Sequence, residues 1–120
     1  MTDQAPTSSL DAEDAKLVTL ARGARERIRA DHGAAVRDDT GRTYAAADAV
    51  LPSLSLSAVE IATAQAWISG ARGLEAAVIV ATNPERIPPT TVLGDLGGAE
   101  LPVIVCATDG TVVRTTTPDR

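Results

Sequence analysis

The sequence predicts an α/β protein, a three-layer α/β/α sandwich around a mixed five-stranded sheet. Three observations carry that expectation. Two continuous apolar runs, "GLEAAVIVAT" (73–82) and "LPVIVCAT" (101–108), suit strands buried on both faces by flanking helices. Two turn signals, "DDTG" (38–41) and Asp109-Gly110, each lie between strand-like segments and predict a hairpin at either end of the sheet. Helical patterns precede and separate the runs, and right-handed crossovers then place helices on both sheet faces. The element order is α-β-β-α-β-α-β-β.

The 120 residues suit one domain, long enough to bury roughly two-thirds of its unfolded surface. Residues 1–10 are polar, carry Pro6 and show no period, so a disordered tail is expected ahead of a single domain over 11–120. Ser9 or Asp11 starts the first helix, in which Leu17, Ala21, Ala24 and Ile28 form one apolar stripe. Asp11, Glu13 and Asp14 at its start and Arg25, Arg27 and Arg29 near its end match the helix dipole. Gly33 is the expected stop. "AAVRDDTGRTYAAADAV" (34–50) then reads as two antiparallel strands, and residues 56–70 as the second helix. Pro84, Pro88 and Pro89 make "NPERIPPTT" (83–91) a loop. "VLGDLGG" (92–98) allows a short helical turn, and "TVVRTTT" (111–117) alternates as an edge strand should.

Composition narrows the function. The chain is 44% hydrophobic and 22% charged, as a globular protein is. It lacks Phe, and Trp67 and Tyr44 are its only aromatic residues, so small aliphatic side chains must build a closely packed core. A net charge of −5 disfavours binding phosphate backbones through the overall field. Six arginines between Arg22 and Arg42 keep a local nucleic-acid face as an alternative, although "RGARERIR" reads first as a solvated helix end. One cysteine, Cys106, excludes an internal disulfide and any multi-cysteine metal cluster, and inside an apolar strand it reads as inert. With no charged-then-apolar leader and no apolar run near the length of a membrane span, a soluble cytoplasmic protein is expected.

The stretch "LPSLSLSAVEIATAQAWISG" (51–70) has Glu60 as its only charged side chain. A helix this apolar all round is expected to be buried all round. Ser57-Ala-Val-Glu60 has the form of a capping box, with Leu56 and Ile61 placed for the accompanying hydrophobic staple. That reading of Ser57 is preferred to a nucleophile, because His32, the only histidine, is distant in sequence and has no partner motif. His32 reads as a partner for the first helix's C-terminal end or as plain surface.

The order of segments resembles the small cytidine deaminases over about residues 14–117. "KLVTLARGARERIRA" looks like the family's first helix, "GAAVRDDTGRTYAA" like its Gly-Ala-Ala hairpin, and "VLGDLGGAELPVIVCATDGTVVRTTT" like its closing segment. "LSLSAVEIA" is similar to the helix start Leu-Thr-Val-Cys-Ala-Glu-Arg-Val-Ala. In that family a catalytic zinc takes one ligand from this helix start and two from a Pro-Cys-x-x-Cys turn, and a glutamate shuttles protons to the ring. The resemblance places Ser57 at the first ligand and Val59 at the glutamate, while Arg86 and Pro89 lie near the cysteine pair. Glu60 is one helical position away from the lost glutamate. Asp48 is the only polar group near the family's ribose-holding residues, and the base-stacking aromatic ahead of the hairpin is missing. The resemblance therefore implies a pseudoenzyme without zinc or other cofactor, whose pocket survives as Asp48, Ser57 and Glu60. It also implies a homo-oligomer, dimer or tetramer, that acts by binding or assembly. A working deaminase with an atypical site, a metal-free nucleoside binder and an RNA- or ribosome-associated accessory protein are the competing expectations.

Overall fold

A core of alanine, valine, leucine and isoleucine has to bring its layers close together, and the strands of the sheet set how close. The computed structural model describes residues 10–120. Helix α1 (Ala12–Ile28) leads into β1 (His32–Asp38) and β2 (Thr43–Ala47). A small hairpin of β3 (Ala49–Leu51) and β4 (Leu54–Leu56) precedes α2 (Ala58–Ile68). Then follow β5 (Leu74–Ala81), α3 (Thr91–Gly97), β6 (Val103–Cys106) and β7 (Val112–Thr116). The expected mixed sheet is present, in the order β2-β1-β5-β6-β7. Among the described residues only β5 and β6, joined through α3, are parallel neighbours; β1 lies antiparallel to both β2 and β5, and β7 antiparallel to β6.

Alternation along the strands makes the layers. Ala35, Ala76, Val78, Val80, Ile104 and Cys106 face Leu17, Val18 and Ala21 of α1. Their neighbours Ala34, Val36, Ala77, Ile79, Val103 and Val105 face Ala58, Val59, Ala62 and Ala66 of α2 and Leu93 of α3. A strand buried on both faces reads as a continuous apolar run, which is why β5 and β6 stand out in the sequence. The expected tail falls on residues 1–9, outside the described residues, apart from Leu10, which packs against the α1 side of the core.

Four local expectations are corrected. Gly33 does not stop the first helix. The chain turns at Arg29, left-handed at φ 52° and ψ 44°, where the Arg29 and Ala30 N–H groups donate to the Glu26 and Arg25 carbonyls. This is a Schellman ending with a non-glycine residue in the strained position. Gly33 instead lies in β1 because a Cβ there would run into the Ala21 carbonyl oxygen and come within 2.8 Å of Arg25 Cβ. Ile28 leaves the apolar stripe and is 60% exposed, because the helix ends before the sheet can cover it. Helix α2 buries one face, through Ala58, Val59, Ala62, Thr63 and Ala66, and leaves Trp67 and Ile68 open. Finally, the second strand ends at Ala47 rather than running on to Val50. Asp48 breaks the ladder, and β3 and β4 pair apart from the main sheet.

The β1–β2 turn is locked by a buried carboxylate. Asp38 is 1% exposed. It accepts from the Thr40 N–H (2.9 Å) and hydroxyl (2.8 Å), the Arg42 N–H (2.9 Å) and the Tyr44 hydroxyl (2.9 Å). Burial alone raises a carboxyl pKa, but these donors outweigh it and hold Asp38 below the ordinary value. A depressed folded pKa means stability present above the unfolded value near pH 4 and lost as pH falls through the folded value. Thermal melts of the parent are expected to fall through that window, and Asp38→Asn is expected to melt lower at pH 7 with a flatter acid response. Equal slopes for the two proteins would show that Asp38 is not the linked group. Gly33→Ala is expected to cost about 1–3 kcal/mol by pushing α1 off the sheet, read as a lower urea midpoint with an unchanged m-value.

Candidate functional site

The start of α2 is built from side chains that satisfy one another. Ser57 is its N-cap: its Oγ accepts from the Glu60 N–H at 3.0 Å, and Glu60 Oε1 accepts from the Ser57 N–H at 2.8 Å. The capping box expected from Ser57-Ala-Val-Glu60 is present in full. The next donor, the Ala58 N–H, is taken by Asp48 Oδ1 at 2.8 Å. Three N–H groups that a helix start usually offers to a ligand are therefore bonded within the chain. Val59 points into the core, 1% exposed, among the residues between α2 and the sheet.

Asp48 has a second partner. Its Oδ2 lies 2.7 Å from His32 Nδ1, and His32 Nε2 lies 3.1 Å from the Arg86 carbonyl oxygen. Both side chains are mostly buried, His32 at 20% and Asp48 at 14% exposure. His32 is thus neither a partner for the α1 end nor plain surface. It bridges the start of β1, the bend after β2 and the loop at residues 83–90. The β1–β2 register explains the meeting: Gly33 opposes Ala47, so one step outward His32 comes opposite Asp48. That register depends on a three-residue loop, Asp39-Thr40-Gly41, closed by the Asp38 N–H on the Arg42 carbonyl; folding the strands symmetrically about "DDTG" would set His32 opposite Ala47 instead.

These groups line one open cleft of about 300 Å³, with His32, Asp48, Ser55, Ser57 and Glu60 as its ionisable and hydroxyl-bearing walls and Val50, Leu56 and Pro88 as its apolar ones. Asp48, Ser57 and Glu60 are therefore brought together, while Val59 is not among them. Glu60 reaches the cleft without a rearranged helix, because its side chain bends back to the cap. The His32–Asp48 pair resembles the base and orienting carboxylate of a nucleophilic triad, but Nε2 is aimed at a carbonyl and Ser57 Oγ at a backbone N–H.

A zinc ion does not fit these residues. Ser57 is occupied as a cap, Arg86 contributes a carbonyl already bonded to His32, and Pro89 has no ligating side chain. Among the described residues no three His, Cys, Asp or Glu side chains converge as a metal-holding group. Cys106 is buried on the opposite face of the sheet, where burial and the nearby Asp109 charge, against a smaller opposing effect of Arg22, push its thiol up to about 11. Two arginines of the 22–42 stretch are engaged: Arg22 donates to the Thr108 carbonyl, and Arg37 lies between Asp14 and Glu75. No helix among the described residues is long and apolar enough to cross a membrane.

Comparison with known proteins gives the fold a family. The structure is similar to a cytidine deaminase from Burkholderia pseudomallei, at TM-score 0.73 and 26% identity over 85% of this chain and 90% of that one. It also superposes on the Mycobacterium leprae cytidine deaminase, at TM-score 0.67 and 22% identity over 89% and 94% of the two chains. A point variant of the Mycobacterium tuberculosis enzyme gives 0.65 and 24% over 78% and 85%. No curated protein matches the sequence. The family described as cytidine deaminase-like matches residues 10–110. With that match spanning most of the chain, and with the same α/β fold in solved cytidine deaminases, this protein belongs to the cytidine deaminase-like family.

Proposed function

We propose that this chain is a cytidine-deaminase-like protein that has lost the deamination reaction and acts as an oligomeric binding or assembly protein. The single observation that carries the reading is the closed helix start. Deamination in this family needs ligands and a proton-carrying glutamate presented there. Here the Ser57, Ala58 and Glu60 N–H groups are bonded within the chain, and the residue at the glutamate position, Val59, is buried in the core. Assembly is supported by apolar surface: Trp67 is 64% and Ile68 79% exposed on α2, and Val50 is 79% exposed on the β3–β4 hairpin. Apolar clusters of this kind mark contact surfaces on soluble proteins. The remaining cleft favours a second reading, a metal-free nucleoside binder, which a nucleoside-dependent rise in melting temperature would establish.

Elemental analysis of untagged protein is expected to find zinc far below one ion per chain, and cytidine or deoxycytidine is expected to release no ammonia. Turnover that survives chelator and vanishes in Glu60→Ala would overturn the inactive reading and assign the proton transfer to Glu60. Ser57→Ala is expected to lower stability by about 0.5–2 kcal/mol, and Ser57→Asp to be tolerated as an alternative cap. Loss of ligand affinity in Ser57→Ala without a change in melting would place Ser57 in a binding site instead. Light scattering at micromolar concentration is expected to give a multiple of the 12.3 kDa chain mass, with Trp67 emission shifted blue of free tryptophan. A mass of one chain with water-like emission would remove the assembly reading.

A further inference from the structure

We propose that two copies of this chain join through the free edge of β2, which pairs antiparallel with its own counterpart and makes the two five-stranded sheets one. This pairing gives a surface and a partner to the assembly proposed above, and it rests on that reading. β2 is the last strand on its side of the sheet, beside β1. The register decides which of its backbone groups are free. The Asp38 N–H donates to the Arg42 carbonyl at 2.8 Å, and bonded pairs then recur at every second residue, at Val36–Tyr44 and Ala34–Ala46. The other side of β1 agrees: the Thr82 N–H donates to the Asp31 carbonyl, so the odd-numbered residues of β1 serve β5. Tyr44 and Ala46 therefore turn their N–H and C=O groups to β1. Thr43, Ala45 and Ala47 turn theirs outward, where no strand among the described residues meets them.

An outer strand usually carries something that keeps other strands away: a charge, a proline or a bulge. The opposite edge of this sheet has such devices. β7 carries Arg114 at its centre, and its register with β6 shifts between Val105 and Cys106. β2 reads Thr-Tyr-Ala-Ala-Ala and pairs with β1 without a shift. Its outward set is also self-complementary. With Ala45 on a two-fold axis, Ala45 meets Ala45 and Thr43 meets Ala47, so each outward N–H finds a carbonyl and about six hydrogen bonds form. The side chains brought opposite one another are alanine and threonine, small enough to pass at strand spacing. Apolar surface lies beside the same edge. Ile28, Val50 and Leu51, which are 60%, 79% and 60% exposed, line with Ala45–Ala47 a recess of about 420 Å³ between the end of α1 and β2. Its charged linings are Arg27 and Asp48, and both Asp48 oxygens are bonded within the chain. A second copy satisfies the backbone and brings a matching apolar rim, because an isologous contact uses the same patch twice. A lone extended peptide would satisfy the backbone alone.

The test joins amide hydrogen exchange of the full chain with the mass of the assembly. In the parent, the Thr43, Ala45 and Ala47 amides are expected to be protected along with those of Tyr44 and Ala46. Ala45→Pro removes an outward N–H and leaves the β1 ladder whole, as proline does on an edge strand. It is expected to halve the mass read by light scattering while keeping the parent's far-UV circular dichroism. Exchange at Thr43 and Ala47 should then rise at least about tenfold, the size of one or two net hydrogen bonds. If the proline variant fails to fold, Thr43→Lys, which sets a charge on the edge, is read in the same way. A parent that assembles while Thr43, Ala45 and Ala47 exchange freely would overturn the edge pairing and leave assembly to another face. An unchanged mass in folded Ala45→Pro would overturn it as well. A parent of one-chain mass with unprotected edge amides would overturn both the pairing and the assembly reading. One-chain mass with protected edge amides would put a strand of other origin on β2 and overturn the pairing of copies.

Discussion

Close approach between layers is the constraint on which this molecule depends. A sheet with no phenylalanine has to be covered by helices that come in near its backbone, and small residues at the contacts make that distance reachable. Gly33 is the extreme point: α1 passes so near β1 that a methyl group there meets the Ala21 carbonyl. Ala62 and Ala66 play the same part for α2, both fully buried against the sheet. Packing losses in such a core are local and steep, because interiors have few voids to absorb a shift. With the helices so positioned, the start of α2 and the beginning of β1 come to the same end of the sheet.

That convergence gives Asp48 its role. It stands where β2 leaves the sheet, and its two oxygens reach a helix N–H and a histidine. Each bond alone is worth about 1 kcal/mol or somewhat more when charged. Their structural effect is larger, because they connect segments that are far apart in the chain. The same carboxylate also explains the short β3–β4 hairpin. Once Asp48 turns inward to His32 and Ala58, the residues after it cannot continue in register with β1, and they pair with one another instead.

The parts of the fold legible in the sequence were those governed by repetition. The apolar runs of β5 and β6, the "DDTG" and Asp-Gly turns and the Ser57–Glu60 spacing each repeat or space their chemistry in a way local rules detect. The misread parts were decided by tertiary contact. Gly33 looked like a helix stop because glycine commonly is one, whereas here the missing Cβ serves helix–strand approach. The exposure of Ile28, Trp67 and Ile68 depends on where the helices end relative to the sheet, which periodicity does not encode. Strands three residues long, as in β3 and β4, are too short to show a period. The site was legible through its cap and its missing cysteines, but the His32–Asp48 pair required the strand register to be carried one residue past the end of the hairpin.

The two unusual surfaces of α2 lie on the same helix and bear on each other. Its start is polar and closed by its own side chains; its end is apolar and open. In a helix kept for a reaction, the start is where exposed donors are useful, and closing them with a cap exchanges reactivity for stability. The end shows the reverse: Trp67 and Ile68 leave apolar surface in water, a cost that a cap cannot offset and that only a covering surface removes. Beside them Thr63, Ala64, Val92 and Leu96 line a largely apolar groove of about 380 Å³, with Glu60 and Asp95 at its polar edges. Glu60 belongs to both regions, as the acceptor of the cap and as a wall of the groove. Anything that settles over the groove therefore meets a carboxylate already fixed by the helix start, and the order of the cap is transmitted to the contact surface through one side chain.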